Sequence, residues 1–236
     1  WNMAYQSLAE PYLTGPWHAE KIWHLEGAEQ PAWVTPPVGK LGAGPSGFTH
    51  DVGVGLPERY RGHFFMCNYA GGGGVESFAL KPKGAAFEIV DAHDFLKPIS
   101  ATDCDFGYDG RMYISDFVGL DWAGKTKGGR VYSLAFPELQ KEPAVGDVTR
   151  LFRAGFRQRP LAELVTLLGH ADQRVRLRAQ FAVAEREDAL ASLKEASQRV
   201  GTDRLSRLAR LHAIWALGQI GERQPAALEA VLPLLA

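Results

Sequence analysis

The sequence has only two cysteines, Cys67 and Cys104, among 236 residues. They form neither a CxxC pair nor the CxxCH motif that attaches c-type haem, which excludes those two kinds of site from this stretch of chain. Two buried free thiols and a single disulfide both remain open for the pair. The cysteines therefore do not assign a redox compartment.

The sequence also lacks a charge excess and a long apolar run. A formal net charge of −1 gives no electrostatic case for binding nucleic acid or an anionic membrane. No stretch approaches the ~18 consecutive apolar residues of a membrane-spanning helix. No signal peptide is visible, but the chain opens on Trp1, and we expect its natural N-terminus to lie upstream.

What the chain does have is two different internal repeats. Val75–Leu80 returns 56 residues later as Val131–Phe136, and each copy follows a pair of glycines. Farther along, Arg176–Ala182 returns 34 residues later as Arg210–Ala216. The first repeat alternates as strands do and the second has helical spacing. Periods of this length are typical of propellers and solenoids.

Amino-acid composition also divides the chain, at about the point where the first repeat ends. Twenty of the 26 glycines lie before residue 136, as do most of the aromatic residues, which suits strands and turns. The remainder is rich in alanine, leucine, arginine and glutamate, which suits helices.

The first part predicts about two blades of a β-propeller. The expected strands of one blade are Ser46–Asp51, His63–Tyr69, Val75–Leu80 and Ala86–Asp91; those of the next are Thr102–Phe106, Arg111–Phe117 and Val131–Phe136. Residues 21–25 and 31–34 would be outer strands of a preceding blade. Because a propeller needs about four to eight blades to close, we expect missing blades or a protein partner to cover the open edge.

The second part predicts an α-solenoid of three antiparallel helical pairs. Asp147 would cap the first helix, Pro160 would begin the second and Asp172 would cap the third. Further helices are expected at 187–200, 204–220 and 224–235. The 34-residue repeat places Phe181 and Trp215 at equivalent positions, and we expect both to be buried.

Several motifs in fixed order resemble the large bacterial membrane-bound-dehydrogenase-like proteins. The similar segments are Gly44–Phe48, Gly55–Phe65, Ser77–Ala85, Ala101–Asp103, Asp109–Asp116, Arg174–Arg176, Ala179–Phe181 and Arg210–Trp215. The resemblance spans roughly residues 15–236. It implies a β + α multidomain chain, with a partial β-propeller at 1–136, a linker at 137–146 and HEAT-like helical repeats at 147–236.

The resemblance also implies a cofactor and a compartment. Propellers of this type are related to sugar dehydrogenases that use pyrroloquinoline quinone (PQQ) and Ca²⁺, and a haem-binding cytochrome c domain often follows them. Such a protein would be periplasmic or secreted, and associated with a membrane complex. The related enzymes carry arginines on the strand that corresponds to Thr102–Phe106, where this sequence has none.

The candidate site residues stand at the starts of the two innermost predicted strands. The carbonyl groups of Gly44 and Pro45, with the side chains of Ser46 and Thr102, would bind the cofactor. Asp103 would be a Ca²⁺ ligand or the base that takes a substrate proton. The structural alternative for Asp103 is a carboxylate that accepts backbone N–H groups at a strand entrance.

Two functional hypotheses follow. In the first, the chain is the last part of a PQQ-type sugar or alcohol dehydrogenase-like protein, with no complete active site of its own; PQQ and Ca²⁺ would belong to the parent protein, and haem to a further domain. In the second, it is a non-catalytic interaction subunit that docks onto a membrane-associated complex. A solenoid joined to a propeller favours binding, and fold alone does not decide.

Overall fold

The chain folds into two antiparallel sheets followed by helices. The computed structural model describes residues 38–39, 41–42, 44–70, 73–84, 86–118 and 128–235. The strands expected at 21–25 and 31–34 lie outside these residues. The mixed α/β class and the order of sheets before helices agree with the sequence prediction.

The first sheet has four strands in the order in which they occur along the chain. The strands are β1 (Pro45–His50), β2 (Phe64–Asn68), β3 (Gly74–Lys83) and β4 (Ala86–Leu96). Antiparallel pairing sets Phe65 of β2 opposite Ser77 of β3. The central strand β2 alternates half-buried and buried side chains, as expected of a strand with one face in the core.

The second sheet has three strands, β5 (Ala101–Phe106), β6 (Met112–Asp116) and β7 (Arg130–Leu134). The turn after β5 contains Asp109 and Gly110, and Gly110 has φ +72°, which suits glycine. The strands predicted from the 56-residue repeat are the third strand of each sheet, which is confirmed.

Five α-helices follow in the described part of the chain. They are α1 (Pro143–Ala154), α2 (Leu161–Leu167), α3 (Gln173–Ala184), α4 (Leu190–Gln198) and α5 (Arg204–Gly221). None of the described helices is both long enough and apolar enough to cross a membrane.

The largest differences from the predicted helices are at the first and the last of them. The first helix begins at Pro143, since proline is well suited to a first helical turn, and Asp147 lies inside it, paired with Arg150. The expected α-helix at 224–235 is instead two short 3₁₀ segments, Pro225–Ala230 and Leu232–Leu235. Pro233 lacks the N–H that a continuous α-helix would need there. The third predicted pair therefore has only one α-helix.

Contacts divide the chain into two compact units. Residues 42–80 and 90–236 form the larger unit, which contains the second sheet, the helices and most of the first sheet. The end of the β3–β4 hairpin, Lys81–Ile89, belongs to the other. There Lys81 and Lys83 both pair with Glu88.

Inside the larger unit, one hydrophobic cluster joins the sheets to the helices, and another lies among the helices. The first cluster includes Phe65, Ile114 and Met112 from the sheets, together with Val148 of α1 and Val175 of α3. The loop Asp51–Leu56 is buried along its whole length. Its Val52 carbonyl accepts the Gln173 N–H at the first residue of α3.

The start of α3 is fixed by a buried capping residue. Asp172 is fully buried and accepts the N–H groups of Arg174 and Val175, which confirms the predicted cap. Arg174 pairs with Asp172 at 2.7 Å and donates to the Phe106 carbonyl at 2.6 Å, at the end of β5. One carboxylate thus orients both a helix start and its link to the second sheet.

Replacing Asp172 with alanine should lower the free energy of unfolding by about 3 kcal/mol, because it removes a helix cap and leaves Arg174 without its partner. The matched control is Asp188→Ala, which breaks the exposed ion pair with Arg186 and should change the free energy of unfolding much less, because solvent screens an exposed pair. Urea unfolding of the two variants checks the difference. Equal losses would show that the cap does not have this role.

Candidate functional site

The structure brings the predicted cofactor-site residues together where β1 lies beside β5. The Ser46 hydroxyl donates to the Ala101 carbonyl at 2.9 Å. Gly47 lies so close to Asp103 that a Cβ there would fall 2.3 Å from the Asp103 Cα. Ser46 and Asp103 are both exposed. The two strands predicted to be innermost are therefore neighbours, with polar residues at their starts.

Most polar groups of this site already have partners within the fold. Thr102 Oγ1 lies 2.7 Å from Ser115 Oγ, and the Gly44 carbonyl accepts the Tyr69 N–H. Asp103 Oδ1 accepts the Cys104 N–H at 2.9 Å. This is the kind of backbone contact expected if Asp103 has a structural role. Pro45 is part of the ladder with Asn68. These contacts link the starts of the strands to neighbouring parts of the two sheets.

The donor set does not fit PQQ. The quinone carries carboxylates, which need cationic partners, and none of the described hydrogen bonds of Ser46, Thr102 or Asp103 involves a lysine or arginine. Asp103 and Asp105 are both exposed on β5, where their negative charges would repel a carboxylate ligand. Within the described ranges, no group of three or more histidine, cysteine or acidic side chains is placed to hold a metal ion.

A histidine cluster not predicted from the sequence lies directly before β2 and on β3 and β4. His63 Nδ1 is 2.8 Å from the Ser77 hydroxyl, and His63 Nε2 is 3.5 Å from Asp91. Arg59 and His93 also contact the Asp91 carboxylate. Asp91 has φ +49°, which is rare for a residue other than glycine. No spacing motif joins these residues, since only the meander of three strands places them side by side.

The buried serine limits what this cluster does chemically. Serine, histidine and aspartate are the residue types of a hydrolase triad, but a nucleophile must reach its substrate. Ser77 has no exposed surface. Burial is also the main cause that lowers the pKa of His63, although Asp91 opposes it. The geometry supports a polar network that joins three strands, in which His63 and Ser77 are buried and Arg59 and Asp91 are about half exposed.

The second candidate site is a face of the helices α3 and α5. Arg176 Nε donates to His212 Nε2 at 3.2 Å, and Gln180 Nε2 donates to Gln219 Oε1 at 3.1 Å. Later residues of one helix thus meet later residues of the other, so the two helices run in the same direction. Alanines fill the space near this contact, since Ala179, Ala182, Ala213 and Ala216 are all buried.

The prediction that Phe181 and Trp215 are buried is wrong. Phe181 is 39% exposed and Trp215 is 52% exposed. Four of the seven residue pairs of the repeat do share an exposure class, and Leu177 and Leu211 are among them, exposed at 41% and 42%. The small alanine side chains let the helices approach closely, and the bulky residues of the repeat lie on the opposite, outer face.

These four residues define an apolar stripe on the outer face of α3 and α5: Leu177, Phe181, Leu211 and Trp215. Their i, i+4 spacing puts each pair on one side of its helix. Arg204 and Arg207 precede Leu211 by seven and four residues, on the same face of α5, and Arg178 is exposed beside Leu177. None of the ion pairs among the described residues involves these three arginines.

No protein-family model matches this sequence, and no curated protein or solved structure is significantly similar to it. The resemblance to membrane-bound-dehydrogenase-like proteins therefore stays a prediction. Evidence on function comes from the geometry of the described residues.

The contact between α3 and α5 should weaken in acid. His212 is buried and accepts from Arg176, so its other ring nitrogen donates to Gln180 at 2.7 Å and the ring is neutral. Burial, and then the Arg176 charge, lower the pKa of His212 to about 4. As the pH falls, His212 is protonated first in the unfolded chain, where its pKa is ordinary. Its contribution to stability is therefore complete above the pKa of the unfolded state and is lost as the pH falls towards the pKa of the folded state.

This group should contribute about 2–3 kcal/mol less stability near pH 4 than at pH 7. The variant His212→Gln cannot titrate at this position, so its free energy of unfolding should fall less between the two pH values. Urea unfolding of both proteins at each pH measures the difference. Parallel losses in the two proteins would mean that His212 is not the titrating group.

Proposed function

We propose that this chain is the final part of a dehydrogenase-type propeller with its helical extension, and that its own role is to dock an acidic protein segment. The apolar stripe carries the docking role. Four exposed apolar side chains at repeat-equivalent positions lie next to three arginines that have no ion-pair partner among the described residues, and together they form a surface that a partner would cover. The resemblance supports a periplasmic or secreted parent protein in a membrane-associated complex.

The charges around the stripe define the partner's chemistry. Arg204 and Arg207 lie on the same face as Leu211 and Trp215, so the facing surface should carry carboxylates. A second copy of this chain placed on the stripe by two-fold symmetry would bring like charges together, which disfavours self-association. An amphipathic helix with apolar residues at i and i+4 and acidic residues beside them satisfies both features of the surface.

Two labelled synthetic helices test this proposal. One has leucine at i, i+4 spacing and glutamate elsewhere, and the other has lysine in place of glutamate. The glutamate helix should bind the full chain, more weakly at high salt. Trp215→Ala should weaken its binding by about tenfold or more, since a central aromatic anchor is lost. The matched control is Val200→Ser, which alters an exposed apolar residue outside the stripe and should leave binding unchanged.

Three results would contradict the docking role. They are equal binding of the two helices, no binding of the glutamate helix, and preferential binding of the chain to anionic phospholipid vesicles. Arg204→Gln combined with Arg207→Gln should reduce both the affinity and its dependence on salt. An unchanged salt dependence would show that these two arginines do not contribute to the binding surface.

The dehydrogenase part of the proposal rests on the sequence resemblance and on the exposed Ser46 and Asp103 near the starts of β1 and β5. A complete propeller would set further blades beside β1 and β5, and Phe48 of β1, which is 55% exposed, would be covered there. If the parent protein binds PQQ, its cationic contacts would come from outside the described residues of this site, because Ser46, Thr102 and Asp103 have no lysine or arginine partner there. The electrons would then pass to a haem domain elsewhere in the parent protein.

The isolated chain should neither bind PQQ tightly nor oxidise sugars and alcohols. The reason is that, within the part of the chain that the structure describes, Ser46, Thr102 and Asp103 have no lysine or arginine partner that could also bind the quinone carboxylates. Titration with PQQ and Ca²⁺, followed by a dye-linked turnover assay, measures both properties. Stoichiometric quinone binding with turnover by residues 1–236 would overturn the proposal and make this chain an enzyme in its own right.

A further inference from the structure

The two cysteines lie in different sheets but in one core. Cys67 is on β2 and Cys104 is on β5, and their side chains are 0% and 3% exposed. Both belong to the cluster that also contains Phe65 and Phe106. Nothing in their separation along the chain indicates this proximity, because β3 and β4 lie between them.

Contacts on both sides bring the two thiols together. The Cys104 thiol donates to the Phe65 carbonyl at 3.8 Å, two residues before Cys67. Both cysteines are free thiols in this structure, and the nearby Cys67 thiol is the main cause that raises the pKa of the Cys104 thiol. The Ser46 hydroxyl reaches the carbonyls of both Cys67 and Ala101, at 3.3 and 2.9 Å. The backbones of β2 and β5 are thus held side by side where the cysteines project.

We propose that Cys67 and Cys104 form a disulfide when the chain folds in the presence of a disulfide donor such as oxidised glutathione. One thiolate attacks the donor and forms a mixed disulfide, which releases one donor thiol. The second cysteine then attacks the mixed disulfide and releases the other. The two cysteines lose two protons and two electrons in total, and the donor disulfide is reduced to two thiols.

The bond has to form before the core closes. The thiolate is the reacting species, and the neighbouring Cys67 thiol, burial and nearby charges raise the pKa of the Cys104 thiol. Both sulfur atoms are also shielded from solvent in the folded chain. The same shielding protects the bond from reductants once the sheets have packed together.

The test compares oxidation during folding with oxidation afterwards. The full chain is refolded from the reduced, unfolded state with oxidised glutathione, then denatured and alkylated without reductant. We expect neither thiol to be alkylated, and peptide mapping to recover one internal link between Cys67 and Cys104. Native reduced chain given the same glutathione should keep both thiols, because the donor cannot reach them.

Single-cysteine variants provide the control. Cys67→Ser and Cys104→Ser, treated in the same way, should each keep one alkylatable thiol or one glutathione adduct. The oxidised natural chain should melt about 5–15 °C higher than its reduced form, since the crosslink restricts the unfolded chain. In the double variant Cys67→Ala/Cys104→Ala, reductant should not shift the melting temperature.

Two results would overturn the proposal. One is recovery of two free thiols after oxidative refolding to the native far-ultraviolet spectrum. The other is a crosslink between chains rather than within one. Neither result would bear on the docking surface or on the propeller hypothesis, because the test measures only the state of the two sulfur atoms.

Discussion

The larger unit depends on one buried carboxylate, that of Asp51. Its two oxygens accept the N–H groups of Gly53 and Gly62, each at 3.0 Å, and Arg61 pairs with it at 3.5 Å. These hydrogen bonds and the ion pair fix the conformation of the loop after β1. The loop then runs beneath the turn of the second sheet and against the segment before α3. At Gly55, with φ +90°, a Cβ would fall 2.3 Å from the Gly110 carbonyl oxygen, so only glycine allows this approach.

Strand positions could be predicted from the sequence because the signal is local. Alternation, glycine pairs and the Asp109-Gly110 turn mark β1 to β7 to within a few residues at most ends, although β4 continues to Leu96, beyond the predicted Asp91. The helix starts were predicted correctly at Asp172, where a capping side chain decides the start, and to within one residue at Pro160, directly before Leu161, the first residue of α2. Asp147 looked equally suitable, but the proline four residues earlier begins the helix in its place.

The side-chain environments were harder to predict. The 34-residue repeat correctly relates α3 to α5, but a repeat does not say which of its faces is buried. Aromatic residues are usually buried in cores, and here alanines occupy the interface because α3 and α5 lie close together. The grouping of His63, Ser77 and Asp91 could not be predicted from the sequence either, since it depends on which strands are neighbours. The same is true of the contact between Cys67 and Cys104.

The bond network at the start of α3 has a mechanical consequence. Arg174 holds the end of β5 through two carbonyl groups, stacks on Tyr108 and shares Asp172 with its own helix. A displacement of α3 would therefore be transmitted to the turn between β5 and β6 rather than absorbed by a flexible joint. A force applied to α3 would be transmitted directly to the second sheet, so α3 and that sheet would move together as a rigid body.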